Sequence, residues 1–242
     1  MTAMGLIISA PRAKARGALT PDFEALVGET AWGRLPLAVR SRFGAEAHHR
    51  PRAYPGVMQV RASRFGRLIA QICRLIGTPI APWTGPSVPV SVLVWPAADG
   101  GMVWDRTYAF DGRPDITVTS AKVMSRNGQL LEIVRGGLGM RLAVGVEDGA
   151  LVFRSRGYFW RIGALRLPIP SLLTPGRALI VHRDNGGGLF TFSMRFVHSI
   201  AGETLSQEGQ FKDPSTRLLD PGLSAPAAPA TAAPLAKLEH AA

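Results

Sequence analysis

Met102-Val-Trp104-Asp-Arg106-Thr-Tyr108-Ala-Phe110 alternates with a period of two, and one residue breaks its pattern. In a strand, Met102, Trp104, Arg106, Tyr108 and Phe110 share one face, and Val103, Asp105, Thr107 and Ala109 share the other. A guanidinium thus stands in the middle of an aromatic row. Burying a charge is expensive unless it is paired, so the fold must offer Arg106 a carboxylate, a set of carbonyls or a wet cavity.

Working outward, β signals continue on both sides. Val88-Pro-Val90-Ser-Val92-Leu-Val94 carries valine at every even position, and Pro89 assigns it to an edge or to the start of a strand. Asp99-Gly100-Gly101 then turns it into the Trp104 strand as a hairpin would. Tyr54 to Val60 opens the β region upstream. Downstream come Ile116 to Ser125, Gln129 to Val134, Leu138 to Val146, Leu151 to Ile162, Ala178 to Arg183, Leu189 to His198 and Glu203 to Phe211. Asp111-Gly112, Asn127-Gly128, Asp148-Gly149 and Asp184-Asn-Gly-Gly-Gly188 separate several of them as tight turns. Leu167-Pro168-Ile169-Pro170 has two residues without an amide hydrogen and is expected as a rigid extended crossing outside any sheet. The reading is mainly β (α+β): about nine strands in a strongly curved antiparallel meander or barrel, with a few N-terminal helices.

The helices precede most of the sheet. Thr20-Pro21-Asp22-Phe23-Glu24 reads as an N-cap, a proline at the first helical position and an acidic first turn, for a short helix ending near Gly28. Leu37 to Phe43 is a second, stopped by Gly44. Arg64 to Gly77 is a third, with Phe65, Leu68, Ile69, Ile72, Leu75 and Ile76 at helical spacing as the stripe that packs on the sheet. Residues 1–20 are expected as a flexible arm, 21–212 as one β-rich domain, and 213–242, mostly Ala and Pro, as a disordered tail.

Composition bounds the function. The formal charge is +11, but only four of the 28 basic residues are Lys and the charge is spread along the chain, which argues for a solvated basic surface and against a nucleic-acid footprint. The single cysteine, Cys73, excludes an intramolecular disulfide or a zinc site of several thiolates, and its apolar helical setting makes it a buried structural thiol. His48 and His49 adjoin each other on a polar segment with no third ligand nearby, so no metal is assigned, and no cofactor is either. The apolar stretch Met4 to Ala10 is short and is followed, not preceded, by basic residues, and no run of about twenty apolar residues is present. A cytoplasmic protein that does not span a membrane is expected.

Trp104-x-Arg106 with Phe110, Leu131-Glu132, Gly149-Ala-Leu151, Leu167-Pro-x-Pro170, Val181-His182, Phe190-x-Phe192 and His198 with Gly202 follow one another in an order that resembles the bacterial domain of unknown function 4166 family. Trp32-x-x-Leu35-Pro36 and Tyr54-x-Gly56 extend the resemblance, which implies no established reaction. It does imply frequent attachment to an NAD(P)-binding epimerase-like or reductase-like domain, and hence a reductase-type partner. In this sequence no Gly-x-Gly-x-x-Gly follows a strand, and Gly186-Gly-Gly188 joins two strands where a phosphate site needs a helix.

Glu132 alternates with Leu130 and Val134 as Arg106 does with aromatics, so the two are expected to face one interior and to pair, either structurally or in a site. The candidate ligand-binding set is Trp104, Arg106, Tyr108, Glu132, Arg141, His182 and His198, with Arg195 as a further donor to an anionic head group. For a histidine at a strand end, a backbone hydrogen bond is the alternative role. No nucleophile elbow, paired-carboxylate motif or phosphate loop appears, and Ser120 is polar in a strand without a mark of activation. The expected function is binding of an apolar or anionic amphipathic small molecule, or service as an accessory module. An enzyme using Arg106, Glu132 and a histidine, and a protein-interaction scaffold, are the alternatives.

Overall fold

The computed structural model describes residues 20–75, 80–97 and 100–214. Eleven strands form one antiparallel sheet: β1 Arg52–Ala62, β2 Gly85–Pro96, β3 Met102–Tyr108, β4 Ile116–Met124, β5 Leu130–Val134, β6 Leu138–Glu147, β7 Ala150–Ile162, β8 Leu165–Ile169, β9 Arg177–Gly186, β10 Leu189–His198 and β11 Gly202–Lys212. Neighbours in sequence are mostly neighbours in the sheet, β1 pairs with β11, and β7 pairs with both β6 and β9. The sheet therefore closes on itself as a barrel of ten strands, with β8 outside. Closure removes the free edges that so many strands would otherwise expose.

The barrel closes imperfectly at β7. Leu151 to Arg154 pair with β9, whereas Tyr158 to Ile162 pair with β8. Between them Gly157 has φ 120°, a conformation open to glycine and strained for other residues, and the strand bends out of the wall there. Two side chains replace the lost ladder: Ser155 Oγ accepts the Ala178 N–H at 2.8 Å, and the Tyr158 hydroxyl donates to the Gly176 carbonyl at 2.6 Å. β8 is the segment expected as a crossing. It is a strand all the same, because it pairs on one side only and an edge position tolerates Pro168. Pro89 lies within β2 opposite Val57, ahead of the β3 pairing that begins at Val90, so β2 is an interior strand whose proline sits near its start.

Three short helices cover one end: α1 Phe23–Val27, α2 Glu29–Gly33 and α3 Leu37–Phe43. Asp22, not Thr20, caps α1, its carboxylate accepting the Ala25 N–H at 3.0 Å, and Gly28 ends the helix with φ 85°. Phe23 and Phe43 meet edge to face at 5.3 Å and both pack on Phe153 inside the barrel, which makes these helices a plug. The main core runs from this plug down the inner faces of the strands.

The fourth helix, α4 Arg64–Leu75, packs against β1 and β11 at the other end. Its buried face is Gly66, Ile69, Ala70 and Cys73, while Leu68 and Ile72 from the expected stripe are exposed. The reason is the close approach at Gly66, where a Cβ would lie 1.9 Å from the Thr204 carbonyl oxygen. That contact fixes the helix rotation, so the stripe splits between the core and solvent. The expected arm, Thr20 apart, lies in residues outside those described, as does most of the expected tail. Asp213, which composition assigns to the tail, is buried and hydrogen-bonds through its N–H to the Gly188 carbonyl at 2.7 Å.

Candidate functional site

Burial along β3 alternates without a break, so Met102, Trp104, Arg106 and Tyr108 all point into the barrel. Antiparallel register brings Arg106 opposite Val118 on β4, and Lys122 opposite Glu132 on β5. Val118, Ser120 and Lys122 share the inner face of β4. The result is a buried polar cluster. Arg106 Nη1 donates to Ser120 Oγ at 3.0 Å, and Ser120 Oγ donates to Glu132 Oε1 at 2.8 Å. Arg106 Nη2 lies 3.8 Å from Glu132 Oε1, and Lys122 Nζ lies 3.3 Å from Glu132 Oε2. Lys122 also rests 4.2 Å from the Trp104 ring centroid, an attraction between cation and ring face.

Two cations therefore face one carboxylate. Burial raises the Glu132 carboxyl, but Lys122, Arg106 and the Ser120 hydrogen bond together outweigh it, so its pKa is lowered and it is ionised. Burial pulls the Lys122 ammonium down, opposed by Glu132 and reinforced by Arg106. Of the five N–H donors of Arg106, one is hydrogen-bonded among the described residues. Among the described residues the other donors have no hydrogen-bond partner, although Nη2 faces Glu132 across 3.8 Å.

Space adjoins them on both sides. Toward α4, a cavity of about 140 Å³ is lined by Arg106, Ser120, Glu132, Tyr108, Gln207 and Tyr158 among apolar residues that include Met140, Met194 and Phe196. Ile80, Leu138, Met140 and Met194 are only half-buried, so this cavity reaches solvent. Toward the plug, a cavity of about 40 Å³ is lined by Arg106, Trp104, Arg42, His182 and rings from Tyr54, Phe190, Phe192 and Phe211. Outside the wall, where β7 leaves β9, lies a groove of about 900 Å³. Arg154, Arg156 and Arg177 line it, and Tyr158 borders both the groove and the inner cavity.

His182 is buried among Phe43, Phe153, Phe190 and Phe192, and its Nδ1 has no hydrogen-bond partner. Burial, then Lys122, Arg42 and Arg106, push its pKa well below the ordinary histidine value, so the ring is neutral. Arg42 donates to Asp213 at 2.8 Å and stacks 4.1 Å from the Phe190 centroid, joining α3 to the end of β11. Among the described residues, no group of three or more His, Cys, Asp or Glu comes together in a way that could hold a metal ion.

Residues 35–211 match the family described as domain of unknown function (DUF4166). The chain belongs to the DUF4166 family. No curated protein and no solved structure matches it. In this DUF4166 barrel, Trp104, Arg106, Tyr108 and Glu132 converge on the interior, and His182 joins them on the plug side.

Three expected donors lie elsewhere. Arg141 is on the outer face, 5.9 Å from the Phe159 centroid, because it has the opposite parity to the inward Met140 and Leu142. Arg195 is exposed and pairs with Glu203 at 2.9 Å. His198 lines the outer groove, where its Nδ1 accepts the N–H groups of Ile200 and Ala201 at 3.2 and 3.1 Å, the backbone role. Two residues of the DUF4166 interior that the sequence reading did not include are Lys122 and Arg42. Lys122 was marked by parity, since it alternates with Val118 and Ser120. Arg42 carried no local signal, its partner being 171 residues away.

Proposed function

We propose that the barrel binds a small amphipathic molecule with an anionic head, its apolar body in the cavity toward α4 and its head on Arg106. The observation that carries this reading is the buried cluster itself: a guanidinium with unspent donors, in a group where cations outnumber carboxylates, at the floor of an apolar cavity. An anion placed there completes the hydrogen bonding and balances the charge, and a guanidinium grips a carboxylate through two parallel bonds. Size narrows the ligand. The cavity compares with the ~150 Å³ cavity that accepts benzene, so the body is ring-sized or branched, or is the leading part of a longer chain. Its lining is predominantly hydrophobic with a few convergent polar groups, the usual character of small-molecule sites.

We place the protein in the cytoplasm, on the strength of its lone cysteine. Among the described residues no helix is long and apolar enough to cross a membrane.

The test is displacement of a fluorescent aromatic carboxylate from the purified chain, with native mass spectrometry for a co-purified ligand. Arg106→Gln should weaken the carboxylate by about 10- to 100-fold, the range for losing a hydrogen bond to a charged group, while the matching alcohol changes little. Equal affinity of wild type and Arg106→Gln for the carboxylate, or no binding at all, would overturn the reading.

A further inference from the structure

The end of the barrel at which the cavity meets solvent is built differently from the plugged end. Three segments meet there on one knot of polar contacts. The Thr204 carbonyl accepts the Ser63 N–H that leads into α4 at 2.9 Å, and the Thr204 hydroxyl donates to the Pro175 carbonyl at 2.5 Å. His198 holds the β10–β11 turn through Ile200 and Ala201 and lies 5.0 Å from the Phe65 ring of α4. From this knot the segments project apolar side chains outward. Leu68 and Ile72 stand on the outer face of α4, Leu172 and Leu173 on the helical turn Ser171–Leu173, and Ile200 at the tip of the β10–β11 turn. Leu173 is 73% exposed and Ile200 78%. Such residues normally seek a core, and here the chain holds them in water by specific hydrogen bonds.

The charge around them is one-sided. Residues 47–98 and 149–183 contain no Asp or Glu, yet they supply exposed Arg64, Arg67 and Arg74 on α4 and exposed Arg166 and Arg177 nearby in sequence to the helical turn. Among the described residues, the acids that share this end are Glu203, paired with Arg195, and Asp111 and Asp115, which flank Arg113 on the β3–β4 loop. Acidic residues gather at the other end instead, as Asp22, Glu24, Glu29, Glu46, Glu147 and Asp148.

Apolar tips on several short projections, set among arginines, suit a surface that is anionic and yields to insertion, which is the character of a bilayer with acidic lipids. We infer that this end of the barrel docks on the surface of an anionic phospholipid bilayer, with α4 lying along the headgroup layer and Leu172, Leu173 and Ile200 inserted. The inference does not depend on what fills the cavity, although docking would set the mouth of the cavity against the lipid.

Co-flotation of the full chain with vesicles tests it, using phosphatidylcholine alone and phosphatidylcholine mixed with phosphatidylglycerol, at low and high salt. The chain should float with the mixed vesicles at least about tenfold more than with the neutral ones, and high salt should reduce this. Leu172→Asp/Leu173→Asp and, separately, Arg64→Gln/Arg67→Gln/Arg74→Gln should each cut binding by about tenfold with an unchanged melting temperature, all these residues being exposed. Three results would overturn the proposal: no flotation of wild type, flotation unaffected by the leucine substitutions, or a stable dimer in solution that the same substitutions dissociate.

Discussion

Arg106 and Glu132 approach to 3.8 Å without a direct hydrogen bond, and the hydroxyl of Ser120 closes the gap by accepting from the one and donating to the other. A single oxygen thus serves two buried charges. Ser120→Ala should remove both bonds while leaving the chain's shape intact, and so cost about 2–3 kcal/mol, more than an ordinary surface serine would. Urea denaturation of the variant measures it. A loss below about 0.5 kcal/mol, the surface range, would mean the charges find other partners.

The two partners of this bridge are not equivalent. Arg106→Gln leaves Lys122 and Glu132 as a balanced pair, whereas Glu132→Gln leaves two buried cations with no carboxylate between them. Breaking a buried ion pair from one side costs about 3–5 kcal/mol, and Glu132→Gln should fall in or above that range, with Arg106→Gln clearly milder. Because Glu132 has a lowered folded pKa, its stabilisation is present above the unfolded carboxylate pKa and is lost as pH falls through the folded value. The wild type should therefore lose stability in acid, and the Glu132→Gln protein should show less of that loss. Equal stability of the two variants by denaturant titration would refute the asymmetry.

His182 makes a second pH dependence, in a higher window. Its folded pKa is lowered well below that of the unfolded chain, so the unfolded state binds a proton first as the solution is acidified. Stability should be full above the unfolded pKa and fall below it, by up to about 1.4 kcal/mol for each pH unit, until the folded ring itself titrates. His182→Phe should abolish this slope. The ring sits among four phenylalanines with Nδ1 unpartnered, so phenylalanine should be tolerated near neutral pH. Thermal unfolding of both proteins from about pH 7 to pH 5 reads the difference directly, and parallel curves would show that His182 does not titrate on unfolding.

What sequence revealed here followed from parity and turn chemistry. The period-two stretch Met102–Phe110 placed Arg106 indoors, and the glycine turns delimited the strands, because both are local properties of the chain. Parity also rules Arg141 out of the interior and Lys122 into it, since an antiparallel strand cannot send neighbouring residues to the same side. Three features were beyond local reading. Closure depends on β7 pairing with β6 on one side and with β8 and β9 in turn on the other, a choice decided at Gly157 by three-dimensional packing. The rotation of α4 depends on one close contact with Thr204. The Arg42–Asp213 pair joins the first and last parts of the fold, and no spacing rule reaches across that distance.

That last pair bears on how the plug is held. Arg42 comes from α3 and Asp213 follows β11 directly, so their 2.8 Å bond fastens the plug to the strand that pairs with β1. Both side chains are almost wholly buried, and Asp184 is the only other carboxylate within ion-pair reach among the described residues, at 3.9 Å from Arg42. Asp213→Asn should therefore cost about 3–5 kcal/mol, reduced to the extent that Asp184 moves in. Combining it with Arg42→Met should restore much of the loss, because a buried pair replaced on both sides by uncharged groups leaves no stranded charge. If the double variant is as unstable as the sum of the two single ones, measured by denaturant midpoints at equal slope, the pair contributes through separate contacts and does not latch the plug.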